Sequence, residues 1–361
     1  GALYGRNAHA GVINIFTRKP DNETRGRVSV SASALRDRAD LGFSSSVIED
    51  KLYVSGNLSG YAFEGEGDSL VSGDNEVDDS RGQHLDGKLR FAPEGSGLDV
   101  TLGVSYNKDI GEEQFYSETT YKDRESTLPF TDRTNRESYG ASLSASYAFD
   151  DFTIKSITGF QKRDMDRTLV VRQNEDQQSL SEEIQLQYNP VNGNFSGVIG
   201  AYVEQIDYER DAVSNFSGNP YITDLKTNSY ALFGEGTYKL TQVLALTAGA
   251  RVSLDEADFD FVETGGLSLK NDDSWTTVTP KIAVNYKWSD TLSQYATVSR
   301  GYKPGGFNRT ATNTAAEVPY DPEYSWNFET GLRADFMGGK ASTTLSAYNV
   351  EIQDIQLFTG I

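Results

Sequence analysis

Apolar and polar residues alternate with a period of two along most of this 361-residue chain. In the segment 139–149 (YGASLSASYAF), apolar or aromatic residues occupy most odd positions, and Ser142, Ser144 and Ser146 lie between them. The same pattern recurs at 28–34, 100–107, 184–188, 230–240, 281–288 and 331–336. Such alternation is typical of a β-strand with one apolar and one polar face. The sequence shows no sustained helical stripe, so the pattern predicts an all-β protein.

Short and long connections between these strands alternate, after a first short connection expected near Arg36–Asp40. Short turns are predicted at 48–51, 93–97, 150–151, 189–194, 241–242, 289–290 and 337–340. Long polar connections are predicted at 64–80, 110–136, 165–180, 211–227, 255–273 and 302–325. This alternation is the layout of outer-membrane barrels, with the turns on the periplasmic side and the loops outside. The sequence therefore predicts an antiparallel up-and-down transmembrane β-barrel in which about 15 strands pair in chain order.

The strands that run into the short turns end with aromatic residues on their apolar faces. These residues are Phe91, Tyr147, Tyr188, Tyr238, Trp288 and Phe336. Outer-membrane barrels carry such residues as a girdle at the membrane interface, on the lipid-facing side. We therefore predict a periplasmic aromatic girdle. By the same register, Leu143, Ile184, Leu186 and Val284 should face lipid, and Ser144, Gln185 and Asn285 should face the lumen. The alternative, in which the aromatic residues close a soluble sandwich core, explains their placement less well.

Composition excludes several classes of function. The net charge of −20 argues against a nucleic-acid partner, because phosphate binding needs a basic surface. Cysteine is absent, which removes disulfides, thiolate metal sites and cysteine nucleophiles. No apolar run approaches the roughly 18 residues of a membrane-spanning helix. The sequence contains no Ser-His-Asp set and no P-loop, so we expect neither an enzyme nor a cofactor.

Two segments carry a family resemblance. The segment 4–20 (YGRNAHAGVINIFTRKP) resembles the C-terminal end of the plug domain of TonB-dependent outer-membrane receptors. The residues of this plug motif are Tyr4, Gly5, Asn7, Gly11, Ile13, Asn14, Ile15, Thr17 and Pro20, and Ala10 stands where the family has glycine. The segment 295–308 (YATVSRGYKPGGFN) and the strand that returns from Pro322 look like late barrel strands of the same family.

The resemblance implies a domain organisation. Family members hold a plug inside about 22 strands, so we expect residues 1–20 to be the end of the plug and 21–361 a partial barrel. The plug segment that contacts TonB and about seven C-terminal strands would then be absent. A chain with two unpaired sheet edges should neither insert stably in a membrane nor transport a ligand by itself.

The resemblance also implies a function. Extracellular loops would capture a scarce ligand, and TonB with its inner-membrane energising complex would drive uptake across the outer membrane of a Gram-negative bacterium. A ferric siderophore is the leading ligand class, while vitamin B12, haem and oligosaccharides stay open. A passive porin would explain the strands and loops but not the plug motif. A soluble β-rich adhesin or glycan-binding protein is the third alternative. It would be favoured if the full-length protein fractionated with soluble proteins, without detergent, rather than with outer membranes.

Candidate ligand contacts lie in the predicted loops. They are the aromatic residues Phe115, Tyr116, Tyr121 and Phe130 and the cations Arg300, Lys303 and Arg309, which could attract an anionic ferric chelate. The adjacent Gly305 and Gly306 are expected to permit a loop bend. Acidic clusters at 64–68, 74–79, 111–114 and 255–260 are interpreted as solvated loops that could meet the divalent cations bridging lipopolysaccharide. The two histidines, His9 and His84, have no metal-ligand spacing.

Overall fold

The computed structural model describes residues 5–6, 15, 17–71, 77–113, 123–126, 132–168, 172–213, 218–309 and 319–357. The strands in these residues are β1 Arg25–Ser31, β2 Arg36–Ile48, β3 Leu52–Phe63, β4 Asp68–Ser69, β5 Ser80–Phe91, β6 Leu98–Glu113, β7 Glu125–Ser126, β8 Asp132–Phe149, β9 Phe152–Thr168, β10 Arg172–Tyr188, β11 Phe195–Val213, β12 Pro220–Lys239, β13 Leu244–Glu263, β14 Ser268–Ser289, β15 Leu292–Lys303, β16 Gly306–Phe307, β17 Pro319–Tyr320, β18 Glu323–Phe336 and β19 Ala341–Gln353. A single 3-10 turn, Met337–Gly339, joins β18 to β19 within this part of the chain. No helix among the described residues is long and apolar enough to cross a membrane.

Fifteen of these strands form one sheet whose order follows the chain from β1 to β19. The strand pairs of this sheet are antiparallel, as in the pairing of Ile184 with Ala201 between β10 and β11. The predicted strand number and order are therefore confirmed. The two-residue strands form separate pairs, β4 with β7 and β16 with β17, inside the long connections. Among the described residues β1 and β19 are not paired with each other, so the sheet is an incomplete barrel.

Several predicted connections are wrong, because the strands extend beyond them. The connection expected at 255–273 is only 264–267, since β13 runs to Glu263 and β14 starts at Ser268. Much of 165–180 and 211–227 is also strand, and the first connection is 32–35 rather than Arg36–Asp40. Beyond the apolar band the outward positions become polar, as where Asp258 pairs with Asp272. The backbone hydrogen bonds between the strands continue there. In the sequence, however, both faces of the strand are polar at many positions, so the alternation that identifies a strand is weaker.

Side-chain exposure separates the two faces of the sheet. Leu143, Ile184 and Val284 are exposed on the outer face, whereas Gln185 lines a cavity on the inner face together with Arg6. On the outer face, successive ring contacts join Tyr147, Phe149, Phe152, Tyr188 and Phe195 near the short turns. Phe195 is opposite Tyr238 in the register, and Phe91, Trp288 and Phe336 are exposed at the same end of their own strands. The role of these rings as a membrane girdle stays a prediction.

Candidate functional site

The strands β11 to β14 continue past the outer apolar band and carry an aromatic cluster on their inner face. This cluster consists of Tyr208, Ala212, Tyr221, Leu225, Ala257, Phe259, Phe261, Trp275 and Phe307. The residues that alternate with these rings along the same strands, such as Asp207 and Asp258, point to the outer side of the sheet. Burial of the rings gives the protruding wall an apolar core of its own.

The connection that follows β15 is packed onto this cluster. We call residues Lys303–Arg309 the strap. The ring of Phe307 is 2% exposed and lies 5.2 Å from the ring of Phe259, in a stacked orientation. A Cβ at Gly305 would be 2.5 Å from the Trp275 indole, and one at Gly306 would be 2.8 Å from the Tyr320 hydroxyl. The two glycines therefore allow the strap to approach these aromatic rings closely, and the expectation that they permit a bend stays a prediction.

Two of the three predicted cations meet at the strap. The Arg309 guanidinium lies 4.1 Å from the centre of the Tyr208 ring, a cation–π distance, and the Arg309 carbonyl accepts a hydrogen bond from Thr223 Oγ1 at 2.9 Å. Lys303 and Arg309 line a cavity of about 210 Å³ together with Tyr208, Trp275 and other residues of the wall. We call it the strap cavity.

Arg300 lies elsewhere. Its guanidinium stacks 4.0 Å from the Tyr324 ring and donates to the Val278 carbonyl at 3.4 Å, and Arg300 does not line the strap cavity. The structure therefore separates it from Lys303 and Arg309, although it is only three residues from the strap. Tyr208, beyond the apolar band, is 3% exposed; this burial, assisted by the nearby Glu175 carboxylate, raises the pKa of Tyr208 to about 12.

The N-terminal turn Gly5–Arg6 contacts the barrel wall below the strap. The Arg6 guanidinium forms an ion pair with Glu204 on β11 and donates to Ser229 Oγ on β12 at 3.3 Å. Gly5 has a φ of 72°, and a Cβ there would be 2.9 Å from the Arg251 guanidinium. Because Arg6 also lines the strap cavity, this turn of the plug motif forms part of the cavity wall. Farther along the motif, the carbonyl of buried Pro20 accepts a hydrogen bond from Arg90 at 3.0 Å.

A buried carboxylate connects the turn to β15. Asp255 is 2% exposed and accepts hydrogen bonds from Ser229 Oγ at 2.6 Å and from the Tyr302 hydroxyl at 2.9 Å. The sequence interpretation missed Asp255, because it assigned the acidic run 255–260 to a solvated loop. The available signal was the alternation of Asp255 with Phe259 and Phe261 at odd positions, which places all three on the inner face.

Among the remaining candidates that the structure describes, His84 does not line the strap cavity. His84 lies on β5, with its Nδ1 2.9 Å from Asn107 Oδ1 and its Nε2 3.5 Å from Asp109. The described residues contain no group of three His, Cys, Asp or Glu side chains that could hold a metal ion. The following predicted residues lie outside the described residues: Tyr4, Asn7, His9, Gly11, Ile13, Asn14, Phe115, Tyr116, Tyr121 and Phe130.

Comparison with known proteins gives consistent matches. The family model described as "TonB dependent receptor-like, beta-barrel" matches residues 62–361. The pesticin receptor of Yersinia enterocolitica is 25% identical over 389 aligned positions, which cover 100% of this chain and 56% of the relative. The solved structure of the ferric yersiniabactin uptake receptor FyuA from Yersinia pestis superposes with a TM-score of 0.91 at 21% identity, over 99% of this chain and 59% of that one.

A second solved structure, the ferric-catecholate import receptor Fiu from E. coli K12, matches with a TM-score of 0.76 at 13% identity, covering 98% of this chain and 61% of that one. The chain thus spans a little more than half the length of the relatives it matches. The family match covers most of the sheet, including the strands that carry the strap cavity. The chain therefore belongs to the family of TonB-dependent β-barrel receptors, which are outer-membrane proteins of Gram-negative bacteria and not enzymes.

Proposed function

We propose that this chain forms the ligand-contacting wall of a receptor that takes up a ferric chelate through the outer membrane, with energy supplied through TonB. The observation that carries the proposal is the strap cavity, where Lys303, Arg309 and Arg6 meet the rings of Tyr208 and Trp275. Two similar receptors are named for ferric ligands, ferric yersiniabactin and a ferric catecholate. In this proposal residues 1–20 belong to the plug and 21–361 to the barrel.

The chemistry of the cavity fits an anionic, conjugated ligand. Three cations surround a small space in a protein whose net charge is −20, so they form a local positive potential in an acidic surrounding. Tyr208 and Trp275 also line the cavity, so part of its wall is aromatic and suits the aromatic groups of a chelate. Asp255 also lines the cavity and reduces its net positive charge, while its carboxylate is held by hydrogen bonds from Ser229 and Tyr302.

The position of Arg6 connects the ligand to the plug. Arg6 lines the cavity and at the same time binds Glu204 and Ser229 of the wall. An anion in the cavity would compete with Glu204 for the Arg6 guanidinium. Ligand binding would thereby weaken the contact between this turn of the plug and the barrel wall, which is the contact that plug movement has to break.

The test uses the full-length receptor and two probes, ferric yersiniabactin and a ferric catecholate. Arg309→Gln is expected to lower the affinity for the transported probe roughly tenfold, the loss of one interaction with a charged group. Arg300→Gln is the matched control, because Arg300 does not line the cavity, and it should leave the affinity unchanged. Binding can be followed by quenching of tryptophan fluorescence and uptake by radioactive iron in iron-limited cells.

Equal effects of the two arginine variants would overturn the assignment of the site. Uptake that persists in cells without TonB would support a passive porin instead. Transport of vitamin B12, haem or an oligosaccharide, with no transport of either ferric probe, would refute the ligand class but leave the receptor class standing.

A further inference from the structure

The outer face of β10 carries a carboxylate inside the apolar band. Glu182 lies opposite Thr158 on β9 and Val203 on β11, between Leu180 and Ile184, which are 56% and 53% exposed. Glu183 and Gln185, at odd positions of the same strand, belong to the inner face. The other outward residues of this part of β9, β10 and β11 are uncharged: Phe152, Ile154, Ser156, Thr158 and Phe160; Leu180, Ile184, Leu186 and Tyr188; Phe195, Gly197, Ile199, Ala201 and Val203. Glu182 is therefore an ionisable group on the lipid-facing side.

The carboxylate is only partly provided with hydrogen-bond partners. Ser156 Oγ donates to one oxygen of Glu182 at 2.6 Å, and Thr158 Oγ1 donates to the other at 2.5 Å. A carboxylate offers about four acceptor positions, so each oxygen can accept a further hydrogen bond. Ionisable groups that face the membrane are costly and are generally retained for a function. Glu182 can therefore accept a further hydrogen bond from a donor group of a molecule in the surrounding membrane.

An apolar groove lies beside Glu182 on the same face. The groove has a volume of about 280 Å³ and its apolar lining includes Ala201, Val203, Tyr230, Leu232, Val252 and Leu254. Val203 is the register partner of both Glu182 and Tyr230, so the carboxylate and the groove are adjacent across one strand. The small side chain of Ala201 lies between the larger Val203 and Ile199 on β11. A ligand that uses both features must have an apolar chain with a hydrogen-bond donor at its end.

We propose that the groove and Glu182 bind one acyl chain of a lipid that carries amide N–H or hydroxyl donors at the top of its chains, the chemistry of the acylated amino sugar of lipopolysaccharide. Glu182 lies two residues from Leu180, at the end of the band that leads to the 169–171 connection, which is the outer-leaflet side. The groups of a phospholipid at this depth are ester carbonyls. They have no N–H or O–H and cannot donate a hydrogen bond to the Glu182 carboxylate. The amine of a phospholipid head lies with its phosphate, beyond Leu180.

The experiment compares four forms of the full-length receptor purified from outer membranes in mild detergent. They are the unchanged receptor, Glu182→Leu, Ala201→Leu and the control Glu209→Gln, which removes an outward carboxylate beyond the band. Bound lipopolysaccharide is quantified as 3-hydroxy fatty acid per receptor, and native mass spectrometry identifies any phospholipid. We expect Glu182→Leu and Ala201→Leu each to lower the retained lipopolysaccharide roughly tenfold, and Glu209→Gln to leave it unchanged.

Folding is checked by heat-modifiable gel mobility. Leucine at 182 and at 201 adds apolar surface to the lipid-facing side, so both variants should remain folded and at least as heat-resistant as the unchanged receptor. Equal retention in all four forms would overturn the proposal. So would retention of a phospholipid without hydroxylated chains, or a receptor dimer that dissociates in Glu182→Leu, because either result assigns the site to another occupant.

Discussion

Removal of the Phe307 ring should release the strap without unfolding the barrel. Phe307 is 2% exposed, and its ring contacts those of Phe259 and Trp275 at centroid distances of 5.2 and 6.3 Å. A buried Phe→Ala substitution costs about 3–5 kcal/mol. The strands of the sheet keep their backbone ladders in this variant, so the cost falls on attachment of the strap rather than on the global fold.

The size of the effect follows from this cost. About 3 kcal/mol corresponds to a roughly 100-fold larger equilibrium constant for local opening, since each 1.4 kcal/mol is a factor of ten. Contacts that remain in the variant limit the opening. Among them are the hydrogen bond from Thr223 to the Arg309 carbonyl and that from Gln356 to the Pro304 carbonyl, both about 3 Å long. We therefore expect a strap that opens more often but still returns to the wall.

Hydrogen exchange followed by mass spectrometry of the full-length receptor measures this opening. Peptides that contain the strap should lose about 100-fold in protection in Phe307→Ala, while peptides from β11 and β12 keep theirs. Phe328→Ala is the matched control, because Phe328 is 39% exposed on β18 and does not touch the aromatic cluster. Unchanged strap exchange in Phe307→Ala, or equal loss of protection throughout the barrel, would refute the reasoning.

Three further predictions concern the register, the N-terminal turn and the aromatic cluster. Leu186→Arg should lower the free energy of unfolding in detergent by about 2 kcal/mol, whereas Gln185→Arg should be nearly neutral, and equal tolerance would contradict the assigned faces. Glu204→Gln should weaken attachment of Arg6 by about 1 kcal/mol, seen as faster proteolysis near the turn; an unchanged rate would show that the ion pair contributes nothing. Because the folded pKa of Tyr208 is raised to about 12, its stabilisation is intact below pH 10 and is lost as the pH rises from 10 to 12. Tyr208→Phe should therefore reduce the loss of stability between pH 10 and pH 12 in a pH series of thermal unfolding, and an identical loss in both proteins would show that Tyr208 does not contribute to it.

The strand class, strand order and strand number follow from local features of the chain. Alternation between the two faces is a property of consecutive residues, and tight turns such as Asp150–Asp151 mark where the direction reverses. Within the fifteen-stranded sheet each strand pairs with the next strand of that sheet along the chain, so no long-range information is needed to order it. The aromatic residues near the short turns, such as Tyr147 and Tyr188, could be placed on the apolar face for the same reason.

The candidate site depends on contacts that no local pattern contains. Arg6 meets Ser229 across 223 positions of sequence, and Phe307 meets Phe259 only because the strap folds back over β13. Arg300 and Arg309 are close in sequence, yet the strap carries Arg309 to Tyr208 and leaves Arg300 on Tyr324. Alternation predicts the face of a strand to which a side chain points, but it cannot predict which distant segment arrives at that face. Such pairings are selected by the burial of rings and charges in three dimensions, and this selection is made only when the whole wall is assembled.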